Sequence, residues 1–166
     1  MSRPRKFDED DVVERAMEEF WTNGYAATSP ARLAEATGVA KGSLYNAFSS
    51  KRALFERCLD KYQQQIAKLA EGLMDHPGST RECLRDALRA VVNSDLAQAR
   101  RRGCLIGNTA VELAGDDPDL ARKIRKMQDE STAWFARRVE RGQREGDVRP
   151  DLDAAAFAEH LATTLA

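Results

Sequence analysis

Apolar positions recur with a period close to 3.6 along most of the chain. In "FDEDDVVERAMEEFWTNG", Val12, Val13, Ala16, Met17, Phe20 and Trp21 fall on one stripe of a helix. Asp8 is placed to cap it, with acids filling the first turn beside the positive end of the macrodipole. Phe7 and Val12 occupy the two positions of a hydrophobic staple, and Gly24 supplies the stop. A second, shorter helix opens with Ser29 as cap and Pro30 at the first helical position, where a missing N–H costs nothing, and ends at Gly38. After Ser50, the residues Leu54, Phe55, Cys58, Leu59, Tyr62, Ile66, Leu69 and Leu73 keep helical spacing through a long fourth helix. "HPGST" at 76–80 breaks that run and is the expected boundary between two parts of the protein.

Beyond the break, Leu84, Ala87, Leu88, Val91, Val92 and Leu96 predict a fifth, amphipathic helix. A short helix is expected from Gly103-Cys104 to about Ala114. Asp117-Pro118 opens another, which carries Leu120, Ile124, Met127, Trp134, Phe135 and Val139 and ends near Gly146. Asp153 caps a last segment, "AAAFAEHLATTLA". Nothing alternates with period two, so the expected fold is all-α.

Composition narrows the class. The 166 residues make one ordinary domain or two small ones sharing a core. No run approaches the ~18 uninterrupted apolar residues of a membrane span. The N-terminus turns acidic where a signal peptide would be apolar, so the chain reads as cytoplasmic. Cys58, Cys83 and Cys104 are scattered, as in a reducing compartment. With only His76 and His160, and no CxxC, P-loop or GxGxxG, no metal or cofactor site is expected. No nucleophilic or acid–base constellation points to an enzyme.

Charge adds one feature. The net charge is −1, yet Arg3, Arg5 and Lys6 form a basic N-terminal run. Between residues 21 and 52, Arg32, Lys41, Lys51 and Arg52 face Glu35 alone. A locally basic surface on a near-neutral protein is compatible with nucleic acid.

The stretch "GVAKGSLYNAF" lies between two helices and carries polar groups that a core would not choose. A two-turn helix, a glycine turn and a second short helix make a helix-turn-helix, here 29–48, which presents its second helix to the DNA major groove. Val39, Leu44 and Phe48 are the expected anchors. Ala40, Lys41, Gly42, Ser43, Tyr45 and Asn46 are left on or near the outer surface. Lys41 suits a phosphate, Gly42 a close backbone approach, and Ser43 and Asn46 suit base edges. The Tyr45 hydroxyl reaches a phosphate while its ring packs. Thr28 and Ser29, before the second helix, and Lys51, at the start of the fourth, are placed to clamp flanking phosphates. Pattern alone also permits a loop with one helical turn in a protein that binds no DNA.

Residues 7–59 resemble the N-terminal domain of TetR-family transcriptional regulators. The resemblance is carried by the Phe before the first helix, by "NGYAATS" after an aromatic, by "LAEATGVAKGSLY" and by "FSSKRALF". Asn46 stands where the family most often has His, and Pro30 and Arg32 also depart from its usual pattern. The resemblance implies a three-helix DNA-binding domain over 6–66, joined by the fourth helix to a helical effector-binding and dimerisation domain over 75–166. "RRGCLIGNTAVEL" and "LDAAAFAEHLATTLA" resemble later family segments, and the second domain is expected to be short at its C-terminus.

The implied function is a repressor that binds a palindromic operator as a homodimer and is released by a small-molecule effector. Met74, Cys104, Asn108, Met127, Trp134 and Phe135 are the candidate pocket residues. Phe157, Leu161 and Leu165 are the candidate dimer contacts. Cys104, at a helix start after three arginines, is placed to sense an electrophile or oxidant. The alternative is an effector-binding or interaction module that no longer binds DNA.

Overall fold

A computed structural model of the chain describes residues 7–113 and 115–165, without the side chains of Leu73 and Leu165. Arg3, Arg5, Lys6 and the Leu165 side chain therefore lie outside the described residues. Those described form eight helices and no strand: α1 (Glu9–Asn23), α2 (Pro30–Thr37), α3 (Lys41–Phe48), α4 (Lys51–Met74), α5 (Thr80–Leu96), α6 (Leu105–Leu113), α7 (Pro118–Glu145) and α8 (Ala154–Leu165). The fold is all-α, as the periodicity predicts. Among the described residues no helix is long and apolar enough to cross a membrane.

The chain divides into two compact units, residues 1–64 and 65–166. The division falls inside α4, so the "HPGST" turn belongs to the second unit. A helix break marks where hydrogen bonding stops; it does not mark where packing partners change.

In the first unit, local signals set α1. Asp8 accepts the Asp10 N–H at 2.8 Å, and the Gly24 N–H donates to the Phe20 carbonyl at 2.8 Å. Its buried stripe, Val12, Val13, Ala16, Met17 and Phe20, joins an interior that includes Leu33, Leu44, Leu54, Phe55 and Leu59. Each large side chain removed from water contributes about 1.5–3 kcal/mol. Cys58 lies in this interior and donates its thiol to the Val13 carbonyl at 3.5 Å. Burial pushes its pKa far up and keeps it protonated.

In the second unit, Leu84, Val139 and Ala154 form a core cluster from α5, α7 and α8, with Phe135, Val148, Leu152, Phe157 and Leu161 packed against it. A polar knot at the end of α7 holds the α4–α5 turn. Arg141 Nη1 donates to the Met74 carbonyl at 2.6 Å, and Arg138 Nη2 donates to the Gly78 carbonyl at 2.9 Å. The Arg138 side chain is 3% exposed, and its charge faces Glu145 at 3.8 Å. Asp147 accepts both the Thr80 N–H, at 2.5 Å, and the Thr80 hydroxyl, at 2.9 Å. Ser79 and Glu82 close a capping box on the same helix.

The apolar stripe of α5 is covered over only part of its length. Leu84 and Ala87 are buried, but Val91, Val92 and Leu96 are exposed, the last two by 50% and 53%. The apolar stripe continues along the helix, while the elements that cover it do not.

Candidate nucleic-acid interface

Ser29 begins the helix-turn-helix by accepting the Arg32 N–H at 3.3 Å, which caps α2. Gly38 ends α2 at φ 70°, a left-handed conformation that side-chain-bearing residues seldom adopt. Thr37 ties the turn: its buried hydroxyl donates to the Leu33 carbonyl at 2.6 Å and accepts the Val39 N–H at 3.3 Å. With Val39 buried, the chain enters α3 at a fixed angle.

Leu44 and Phe48 are buried and hold α3 by one face. Ala40, Lys41, Gly42, Ser43 and Asn46 are exposed together on the other, and Tyr45 is half-buried at its edge. A Cβ built on Gly42 would meet nothing within 4 Å, so the fold has no need of glycine there. Ala40 begins the helix without a side-chain cap. The first N–H groups of such a helix suit an anionic partner. Nearby, Arg32 pairs with Glu19 at 2.7 Å and Arg52 with Glu56 at 2.6 Å. Lys41 and Lys51 are the expected phosphate cations.

Thr28 requires a correction. Its place before α2 suggests a clamp on a flanking phosphate, but it is fully buried, and its hydroxyl donates inward to the Gly24 carbonyl at 2.6 Å. Its N–H donates to the Tyr25 carbonyl at 3.3 Å. It therefore shapes the loop before α2, and Ser29 is the exposed residue there.

Between α3 and α4 the Ser50 N–H donates to the Phe48 carbonyl at 2.8 Å across Ser49, at φ 67°. This is a γ-turn of the strained, positive-φ kind. It delivers Ser50, which caps α4 by accepting the Ala53 N–H at 3.0 Å, and then Lys51. The Lys51 ammonium lies 4.2 Å from the centre of the Tyr25 ring. That ring is wedged against Phe20 and Phe55, with centroids 5.9 and 4.8 Å away. A cation–π contact of this exposure contributes about 0.5–1 kcal/mol. Sequence reading missed Tyr25, because its value depends on α4 coming to lie beside it. The available signal was an aromatic directly after a helix-ending glycine.

Five of the six candidate pocket residues have partners of their own in the second unit, Met127 among them through its carbonyl, which accepts the Ser131 hydroxyl at 2.9 Å. The Met74 carbonyl takes Arg141. Cys104, half-buried just before α6, accepts the Gly107 N–H at 3.4 Å. Asn108 is exposed and donates to the Arg102 carbonyl at 2.7 Å. Phe135 packs on the α5–α7–α8 core. Met127 is buried on α7 and Trp134 half-buried. Of the candidate dimer residues, Phe157 and Leu161 are partly taken up by that same core. Among the described residues no cluster of His, Cys, Asp and Glu could hold a metal.

Residues 12–58 match the family model described as bacterial regulatory proteins, tetR family, and residues 83–166 match the tetracyclin repressor-like C-terminal domain. The chain is 33% identical to the transcriptional repressor ComR of Escherichia coli, over 96% of this chain and 76% of ComR. It is 32% identical to the regulator YezE of Bacillus subtilis, over 97% of this chain and 84% of YezE. Among solved structures it resembles a cysteine mutant of the TetR-family regulator CifR bound to 26-base-pair operator DNA. The TM-score is 0.88 at 34% identity, covering 98% of this chain and 85% of that one.

Proposed function

The chain belongs to the TetR family of bacterial transcriptional regulators, DNA-binding proteins and not enzymes, and we propose that it is a homodimeric repressor released from a palindromic operator by a small-molecule effector. The observation that carries this reading is the outer face of α3, where Lys41, Gly42, Ser43 and Asn46 are exposed on a helix anchored by buried Leu44 and Phe48. Lys41 and Lys51 neutralise phosphates, and Ser43 and Asn46 read base edges. Tyr45 adds a hydroxyl at the edge, Ala40 and Gly42 let the duplex come close, and Ser29 flanks it at α2.

One short recognition helix contacts few base pairs, so a two-fold dimer on matched half-sites is the expected assembly. Phe157, Leu161 and Leu165 on α8 are the proposed contacts. An effector that favours the wrong separation of the two recognition helices weakens DNA binding by the same coupling free energy, typically ~1–3 kcal/mol.

Selection of sites from a random duplex pool, followed by a salt titration on the recovered duplex, tests this reading. Enrichment of a palindrome is the expected result. Lys41→Ala or Lys51→Ala should then weaken binding across all sequences and flatten the log–log salt slope by about 0.9 per lost contact. Ser43→Ala or Asn46→Ala should relax preference at one base position, at a cost of about 1–3 kcal/mol. A folded protein that enriches nothing would refute the operator assignment.

The effector is proposed to be an electrophile or oxidant acting at Cys104. Cys104 is half-buried, whereas Cys58 and Cys83 are buried, and thiol reactivity requires access. Iodoacetamide should label Cys104 first. Release from DNA by N-ethylmaleimide or peroxide should disappear in Cys104→Ser; an unchanged response in that variant ends the sensor assignment.

A further inference from the structure

We infer that Tyr25 is a positioning residue for DNA binding: its ring holds the Lys51 ammonium at the start of α4 and thereby fixes the phosphate that this lysine meets. The inference rests on the reading of Lys51 as a phosphate contact, and adds how a flexible side chain is aimed.

Lysine is a point charge on four methylenes and, left to itself, samples many rotamers. Here the ammonium sits 4.2 Å from the Tyr25 ring centre. The ring itself has little freedom. It lies against Phe55 at 4.8 Å and Phe20 at 5.9 Å, and those two rings meet edge-on at 4.9 Å, both buried. The aromatic platform is therefore joined to the α1–α4 core, and the cation rests over the Tyr25 ring. An ammonium has three donors. Resting against a π-face orders the ammonium before DNA arrives, so less side-chain freedom is lost when it meets a phosphate.

Three backbone features bring the two residues together. Gly24 ends α1 and puts Tyr25 immediately beyond it. Ser49 turns the chain out of α3, and Ser50 caps α4 so that Lys51 is its first residue. The ring and the ammonium are thus fixed by different helices, which makes the register of α1 against α4 part of the DNA-binding geometry.

The test compares salt slopes on one duplex recovered by the selection above, for wild type, Tyr25→Phe, Tyr25→Leu, Lys51→Ala and the Tyr25→Leu/Lys51→Ala double variant. Lys51→Ala should flatten the slope by about 0.9. Tyr25→Phe keeps the ring and should match wild type. Tyr25→Leu should flatten the slope in the direction of Lys51→Ala and weaken binding several-fold, and the double variant should be no weaker than Lys51→Ala.

A wild-type slope in Tyr25→Leu, or additive losses in the double variant, overturns the positioning role while leaving Lys51 as a contact. A wild-type slope in Lys51→Ala overturns the contact itself, and the inference with it. A second measurement needs no variant. In the free protein, the ring current of Tyr25 should move the Lys51 ε-methylene protons upfield of those of Lys41. Equal shifts for the two lysines would also refute the inference.

Discussion

Gly142→Ala should destabilise the second unit by about 2–4 kcal/mol, combining overpacking with a strained hydrogen-bonded contact. For a chain of this length that lowers the melting temperature by roughly 5–15 °C. Gly142 is buried on α7. A Cβ there would stand 2.7 Å from Val148 Cγ2, and nearer still to Thr80 Oγ1 and Asp147 Oδ1. None of the three yields easily. Thr80 is buried and gives both its hydroxyl and its N–H to Asp147. Asp147 and Val148 in turn donate their N–H groups to the Gly142 carbonyl, at 3.0 and 3.2 Å. A methyl group therefore prises apart the carboxylate and the first turn of α5. Thermal denaturation by circular dichroism checks this, and a melt within a degree of wild type would contradict it. Gly142→Ala/Thr80→Ala should lose less than the sum of its single variants, since one clash is then removed.

The same contact makes the knot sensitive to acid. The Thr80 N–H, then the Thr80 hydroxyl and the Arg138 guanidinium, hold the Asp147 pKa below its ordinary value of 3.8. A carboxylate depressed in the folded state stabilises it above the unfolded pKa, and that contribution is lost as pH falls through the folded value. Wild type should accordingly lose stability below about pH 3.8 more steeply than Asp147→Asn, which has no carboxylate to protonate there.

Much of the first unit was legible because its signals are local. Asp8, Gly24, Ser29, Pro30 and Gly38 act within one turn of their own position, and the structure uses them where the sequence places them. The exposed face of α3 followed from the spacing of Leu44 and Phe48. What was not legible depends on residues far apart in the chain. Thr28 is polar and beside a helix start, so it reads as a surface group, yet packing turns it inward. Arg138 looks like one more charge on α7, but it is buried against the Gly78 carbonyl, 60 residues away. The Thr80–Asp147 contact spans 67 residues. Val92 and Leu96 run the other way, apolar yet exposed. Periodicity records that a face is apolar and is silent on what covers it.

Gly42→Glu should stabilise the protein and abolish operator binding. Gly42 is the second residue of α3, exposed, with open space where its Cβ would be. Replacing a helical glycine gains about 0.5–1 kcal/mol, and a carboxylate in the first turn adds about 0.3–1 kcal/mol through the macrodipole. The melting temperature should rise by a few degrees. On DNA the same change is costly: it puts a side chain where the duplex must approach and a negative charge among phosphates. A loss of at least a hundredfold in affinity, about 2.7 kcal/mol, is expected. Gly42→Ala should share the stabilisation while losing less affinity, because it brings bulk without charge. Opposite movement of stability and binding at one residue marks a position kept for its partner and not for the fold. Wild-type affinity in Gly42→Glu would mean that α3 does not face DNA, whereas a lowered melting temperature would mean that Gly42 supports the fold after all.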